Sequence, residues 1–236
     1  MNRYEVKYCI PPDVRSALEP QLQAHMQPDP HGRAERGRYQ VHSLYFDSPD
    51  WGAYDEKIAG LFRRKKLRLR FYDNTYEPLL LEVKGRVNNI VVKERLALNE
   101  RRCNLVLRGL RLHEEERHPV VQTYNRYATN YEVRPRLLIV YWRKAYVAPL
   151  EANLRITFDT QVTVQRCTRL DGAAGVRYPL MHPGLTVLEI KFEHVMPEWV
   201  YQIVRRFSLV NESVSKYCRG VARLLRAGEL EGAAGF

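Results

Sequence analysis

Acidic side chains are in short supply in this 236-residue chain, with 27 Asp and Glu against 38 Lys and Arg, a formal charge of +11. Such an excess predicts acidic partners: nucleic acid, phosphorylated metabolites, polyphosphate or an anionic membrane face. Long apolar runs are missing as well. The longest, Leu137 to Trp142, has the length of a strand and falls well short of the ~20 residues of a membrane span. Cysteine is sparse, and Cys9, Cys103, Cys167 and Cys218 show neither a CxxC pair nor histidines at zinc-ligand spacing. They read as ordinary, partly buried thiols. No secretory signal precedes the first charged strand, so the expected location is the cytoplasm. No Ser/Gly-rich linker divides the chain, which predicts one domain over residues 1–228 and a short tail at 229–236. Also lacking are GxxxxGK[ST], GxGxxG after a strand, HExxH and GxSxG. The seven histidines are dispersed, and Ser43 and Ser208 have no partner pattern that would mark a nucleophile.

What is present is an alternation of charge and grease. Residues two apart on a strand share a face. Lys66, Arg68 and Arg70 therefore point one way, and Leu67, Leu69 and Phe71 the other. Leu81-Glu82-Val83-Lys84 and Leu188-Glu189-Ile190-Lys191 repeat the pattern, as do Arg3, Glu5 and Lys7, then Lys93 and Arg95, and Arg155 between Leu154 and Ile156. A solvated sheet face is one reading of a single such strand. Across many strands the polar faces are nearly all ionic, with cations in excess and few Thr, Ser or Gln. Like charges packed on neighbouring strands repel unless an anion lies between them, which favours the lumen of a barrel that holds a polyanion.

Strands are expected at 2–10, 39–46, 65–72, 79–86, 90–98, 135–147, 154–159, 162–170 and 185–193, about eight in all. Asn88-Asn89 falls between two of them. Helices are expected at 11–26, from Asp47 through Ile58, at 100–111, 114–131, 197–206 and 216–227, with 27–38 as a loop. Hairpin spacing makes the fold class α+β, an antiparallel eight-stranded β-barrel with peripheral helices.

A cationic lumen suits phosphoryl transfer, whose transition state needs cations around phosphate oxygens, in-line positioning and a bridging divalent metal. A lone carboxylate among cations fits a Mg²⁺ or Mn²⁺ ligand, because these ions combine few carboxylates with phosphate oxygens and water. Glu189 is that candidate, and a salt bridge to a lumen Lys or Arg is the competing role. The run Arg63-Arg64-Lys65-Lys66 resembles a nucleic-acid patch but lacks interleaved aromatics.

Several motifs then follow one another in a familiar order. They are Arg3-Tyr4-Glu5-Val6-Lys7-Tyr8, Ser43-Leu44-Tyr45-Phe46-Asp47, Lys66 to Tyr72, and Leu81-Glu82-Val83-Lys84. Arg134-Pro135, Tyr141 to Tyr146, Leu154 to Asp159, Leu188-Glu189-Ile190-Lys191 and Ser213-Val214-Ser215-Lys216-Tyr217 complete the series. From Arg3 to about Arg223 the chain resembles the VTC domain, the polyphosphate polymerase module of the vacuolar transporter chaperone complex. That domain belongs to the triphosphate tunnel metalloenzymes, alongside the CYTH phosphatases and RNA triphosphatases. The resemblance implies an eight-stranded tunnel that transfers the γ-phosphate of ATP onto a polyphosphate chain with Mn²⁺ or Mg²⁺. It also implies phosphate-binding roles for Lys7, Arg68, Arg70, Lys84 and Arg155, with Arg68, Arg70, Lys84 and Arg155 in the catalytic set. Glu189 takes the metal, Ser215 and Lys216 contact phosphate from a closing helix, and Lys93 and Arg143 line the wall. Hydrolytic relatives open with Glu-x-Glu-x-Lys, whereas this chain has Arg3 in the first place, which weakens a two-metal, water-activating site. Unlike the fungal complex, this sequence carries neither an SPX sensor nor a membrane segment, so a stand-alone catalytic module is expected. Its expected partners are ATP and inorganic polyphosphate rather than a specific nucleic acid, and any membrane or regulatory partner is a separate chain.

Overall fold

The alternation read from the sequence is realised strand by strand. The computed structural model describes residues 3–32, 37–73, 75–87, 90–113, 117–149, 151, 153–168, 170 and 175–230. The chain runs β1 (Arg3–Ile10), α1 (Pro12–Gln23), β2 (Gln27–Pro28), a 3-10 turn (Pro30–Gly32), β3 (Arg38–Asp47) and α2 (Gly52–Ile58). It continues with β4 (Arg63–Tyr72), β5 (Thr75–Val87), β6 (Ile90–Leu98), α3 (Glu100–Leu107), α4 (Pro119–Asn130) and β7 (Arg134–Val147). Then come β8 (Arg155–Arg166), β9 (Tyr178–Pro179), β10 (Thr186–Glu193), α5 (Glu198–Arg206) and α6 (Lys216–Arg226). The fold is α+β with antiparallel strands; β2 and β9 have two residues each, and the other eight are long.

Three expectations are corrected. The stretch 27–38 is not all loop: Gln27 and Pro28 pair with Val147 and Tyr146, and a helical turn follows. Its residues 33–36, like Asn88-Asn89, 114–116 and 231–236, lie outside the described residues. The segments 154–159 and 162–170 are one strand, β8, which runs from Arg155 to Arg166 although Gln161 takes a positive φ of 50°. The helix from Glu100 stops at Leu107 rather than Arg111. Gly109, at φ 67°, closes it with Gly109 N–H to Val106 C=O and Leu110 N–H to Leu105 C=O, a Schellman end. The left-handed φ favours glycine, and a Cβ there would also displace the Arg134 guanidinium, 2.0 Å away.

Contacts group the chain into two compact units, each assembled from three separated segments. The first comprises Met1–Gln40, Tyr141–Val162 and Met181–Ser215. In it β10 pairs with β1 on one side and β8 on the other. Tyr8, Ile10, Ile156, Phe158, Leu188 and Ile190 form the apolar side of this ladder and pack with Leu18 and Leu22 of α1 and Val200 and Ile203 of α5.

The second unit comprises Val41–Val140, Thr163–Leu180 and Lys216–Phe236. Its ladder runs β3, β4, β5, β6. Leu44, Leu67, Leu69, Leu81 and Val83 bury their side chains with Cys103 and Val106 of α3 and Val120, Val121 and Tyr124 of α4. In both units helices cover the apolar face, which leaves the ionic face on the other side of the same strands.

Asp47, 2% exposed, ties α2 and α6 to the end of β3. Its carboxylate accepts from the N–H groups of Ser48 at 2.8 Å, Ala53 at 2.9 Å and Tyr54 at 3.3 Å, and from the Tyr217 hydroxyl. Tyr217 is itself 2% exposed. Tyr217→Phe leaves the buried carboxylate one donor short and should cost roughly 1–3 kcal/mol of unfolding free energy. Urea unfolding of the variant beside the wild type measures it, and an unchanged midpoint refutes the tie.

Candidate functional site

On the polar side of the second unit, strand pairing sets the charges in rows. One row holds Tyr45, Arg68, Glu82 and Arg95 on β3 to β6. The next holds three lysines side by side, Lys66, Lys84 and Lys93, and a third sets Ser43 beside Arg70. Glu82 gathers the cations. Arg68 Nε and Nη2 both lie 2.7 Å from its Oε2, Lys93 Nζ 2.6 Å from Oε1 and Arg70 Nε 3.8 Å from Oε2. The side chains of Glu82, Arg70 and Arg68 are 1%, 8% and 12% exposed, whereas Lys93 on β6 is 41% exposed, so the face is buried on β4 and β5 and opens to solvent at β6.

Electrostatics follow from that burial. Desolvation pushes the Glu82 carboxyl up, but Arg68, Arg70 and Lys93 outweigh it and hold the group well below the usual carboxylate range. Lys93 is pulled down to about 8, first by burial and then by the two guanidiniums, with Glu82 opposing. Burial raises the Tyr45 phenol, yet Arg68, Arg70 and Lys66 bring it below its ordinary value. Its hydroxyl accepts from Arg68 Nη1 at 3.0 Å. Lys66 Nζ lies 4.4 Å from the centre of the Tyr217 ring and donates to Cys218 Sγ at 3.3 Å. Lys216 opens α6, and Ser215 immediately precedes it; both are half-buried, as is Lys84.

The first unit holds a second cluster on β1, β10 and β8. Lys7 stands opposite Glu189 and Glu189 opposite Thr157, while Glu5, Lys191 and Arg155 form the adjacent row. Lys7 Nζ lies 3.0 Å from Glu5 and 3.6 Å from Glu189 Oε1, and it donates to the Val214 carbonyl at 3.1 Å. Lys191 Nζ and Arg143 Nη2 lie 3.1 and 3.3 Å from Glu189 Oε2. Arg143, 6% exposed, also grips Asp159 through two bonds of 2.6 and 2.7 Å. Burial opposes its charge, but Asp159 and then Glu189 raise its pKa well above the ordinary value. Arg155 turns elsewhere: it pairs with the buried Asp29 and donates to the Tyr39 hydroxyl at 3.0 Å.

Of the residues singled out in the sequence, Lys7, Arg143 and Glu189 thus meet in one cluster, and Arg68, Arg70 and Lys93 meet in the other. The salt-bridged reading of Glu189 describes its contacts here. Sequence reasoning missed Glu82 as the collector of cations, although Leu-Glu-Val-Lys duplicates the strand that carries Glu189. It missed Asp159, which alternation places on the face of Arg155 and Thr157. Asp29 carried no signal in its Pro-rich stretch. The Arg3 side chain lies outside the described residues.

Among the described residues no group of three His, Cys, Asp or Glu side chains converges as a metal site. Glu5 and Glu189 do supply two hard carboxylates that share one cation, the Lys7 ammonium. Two such oxygen donors suit a hard divalent cation.

The profile of the VTC domain family matches residues 2–225. The chain belongs to the VTC domain family. Among solved structures it resembles a protein of Bacillus halodurans, bh2851, provisionally assigned as an adenylate cyclase. The TM-score is 0.55 at 12% identity, over 91% of this chain and 96% of the other. PH1819 of Pyrococcus horikoshii OT3 gives a TM-score of 0.48 at 13% identity over 95% and 98% of the two chains. HpAC1 of Hippeastrum, a provisional adenylyl cyclase with a dominant triphosphatase activity, gives 0.47 at 15% over 100% of both. The likeness to the Bacillus protein shows a shared fold, and the VTC assignment supports a phosphoryl-handling function for it. No helix among the described residues is long and apolar enough to cross a membrane.

Because the folded pKa of Glu82 is depressed, its ion pairs stabilise the protein above the unfolded carboxylate pKa, near 4.3, and are lost as pH falls below it. Glu82→Gln should lose about 3 kcal/mol at pH 7 by leaving buried guanidiniums unpaired. It should also lose less further stability than the wild type between neutrality and acid. Denaturant melts across pH test both; parallel acid limbs would refute this role.

Proposed function

We propose that this VTC-family protein is a metal-dependent polyphosphate polymerase that transfers the γ-phosphate of ATP onto a growing polyphosphate chain. The observation that carries the reading is the ionic face of β4, β5 and β6, buried at Arg68, Arg70 and Glu82 and open at Lys93. There, among the described side chains, Arg68, Arg70, Lys66, Lys84 and Lys93 gather about the carboxylate of Glu82, a predominance of cations that suits a bound polyanion. Arg68 and Arg70 present guanidiniums that match pairs of phosphate oxygens, and Lys84 and Lys93 add compact charges. Lys216 adds a further phosphate contact, and in the first unit the family resemblance supports the same role for Lys7, Ser215 and, once released from Asp29, Arg155. Arg143 acts through Glu189, whose carboxylate it holds in place while anchored on Asp159.

In the reaction a terminal phosphate oxygen of the acceptor chain forms the new P–O bond as the β–γ bridge breaks and ADP leaves. The protein's part is to position both chains in line and to neutralise charge on the transferred group. Mg²⁺ or Mn²⁺, when bound by Glu189 with Glu5, supplies charge neutralisation on the phosphates.

Purified protein incubated with ATP and Mn²⁺ should yield long-chain polyphosphate on a gel together with ADP. Free phosphate without polymer identifies a tunnel hydrolase, and tight polyanion binding without turnover identifies a binding module. Arg70→Ala and Glu189→Gln should each cut polymer synthesis by at least about 100-fold, the size of effect of one oxyanion donor, while circular dichroism shows a folded protein. Full activity in either variant removes that residue from the set.

Tripolyphosphate affinity should also depend on alkaline pH. Lys93, with its pKa drawn down to about 8, is cationic below that value and neutral above it. Binding followed by calorimetry at fixed ionic strength should therefore weaken as pH rises through about 8 and onward, since the bound anion favours the ammonium. Lys93→Arg should flatten the profile, and an equally steep fall in that variant would place the titration elsewhere.

A further inference from the structure

Helix α6, Lys216–Arg226, contains no acidic residue. Its cations fall at 216, 219, 223 and 226, which at about 100° per residue lie within an arc of roughly 80°. Tyr217, Gly220, Val221 and Leu224 occupy the buried side of the helix. Gly220 is part of that seat, because a Cβ there would approach Val164 at 3.2 Å. Lys216, Arg219 and Arg223 are half-buried, and Arg226 is exposed. Charges three or four positions apart on a helix are neighbours and repel when alike. The helix dipole favours cations in the last turn, which accounts for Arg223 and Arg226; it disfavours Lys216 in the first turn.

The surroundings extend the row. Arg223 lies 4.6 Å over the Tyr178 ring, whose hydroxyl donates to the Glu229 carboxylate at 2.8 Å, and Arg166 donates to the Glu229 carbonyl at 3.3 Å. Glu229 is thus the acid at the far end, held by Tyr178. The row spans about 15 Å along the helix axis at 1.5 Å per residue, longer than a contact to one phosphate requires.

We propose that Arg219, Arg223 and Arg226 form a polyanion track continuing from Lys216, on which an extended inorganic polyphosphate chain lies outside the triphosphate-binding residues. This rests on the phosphate-binding reading of Lys216 given above. The track gives the protein a preference for long chains over tripolyphosphate. A regular row of guanidiniums at one-turn spacing matches a ligand with charge at every unit. The Tyr178 ring that could stack a nucleobase is covered by Arg223, which favours polyphosphate over a single-stranded nucleic acid.

The test compares the wild type with R219Q/R223Q/R226Q in binding tripolyphosphate, long-chain polyphosphate and single-stranded RNA over a salt series. The expected result is unchanged tripolyphosphate affinity and at least about tenfold weaker long-chain binding. Its salt dependence should also lose two to three units of slope, about one per lost phosphate contact. Equal long-chain binding by both proteins overturns the track and leaves the polymerase reading standing. A wild type that binds neither phosphate ligand overturns both, and one that prefers RNA assigns the stripe to nucleic acid instead. Should the triple variant melt early, R223Q/R226Q on the outer half of the helix carries the same comparison.

Discussion

A carboxylate surrounded by more cations than it can neutralise is the constraint on which this structure turns. Glu82 lies under Arg68, Arg70 and Lys93, almost wholly removed from water. Desolvation of that many charges is costly, and a single acid compensates only in part. The apolar side of the same strands offsets the cost, because Leu67, Leu69, Leu81 and Val83 are buried against α3 and α4. Sheet register does the rest. It places Tyr45, Arg68 and Glu82 in one row and three lysines in the next, so the electrostatics are fixed by hydrogen bonds of the backbone.

The first unit repeats the device with a different balance. Glu189, carried by a strand of the same Leu-Glu-x-Lys form, is approached by Lys7, Lys191 and Arg143, while Asp159 and Glu5 share the load. Acids here nearly match bases. The first unit's cluster is thus close to charge balance, whereas cations predominate on the β4–β6 face. Positioning and charge compensation are what phosphoryl transfer asks of a protein, and neither cluster needs a nucleophilic side chain to provide them.

Much of this was legible in the sequence because a period of two is an unambiguous signal when one face is greasy and the other ionic. Lys66 to Phe71, Leu81 to Lys84 and Leu188 to Lys191 all fall on the strands and faces expected. The misplaced elements share a cause: backbone conformations that composition conceals. Gln161 passes through positive φ without ending β8, Gly109 ends α3 early, and Gln27-Pro28 becomes a strand because β7 offers it a partner. Partner choice was the less legible layer. Alternation put Arg143, Arg155 and Glu189 on ionic faces, but it could not say that Arg143 would grip Asp159 or that Arg155 would turn to Asp29 and Tyr39. Those pairings depend on cross-strand register and on a Pro-rich segment whose fold is set by its neighbours.

The central claim is that the folded protein carries an excess of positive charge that a phosphate chain balances. Thermal unfolding with and without tripolyphosphate, at matched ionic strength and neutral pH, tests it most directly. Binding to the native state alone raises stability by RT ln(1 + [L]/Kd), about 2.7 kcal/mol at a hundredfold excess over Kd. The melting temperature should climb steadily with tripolyphosphate and less with an equal ionic strength of chloride. Coincident melting curves in the two salts would contradict it.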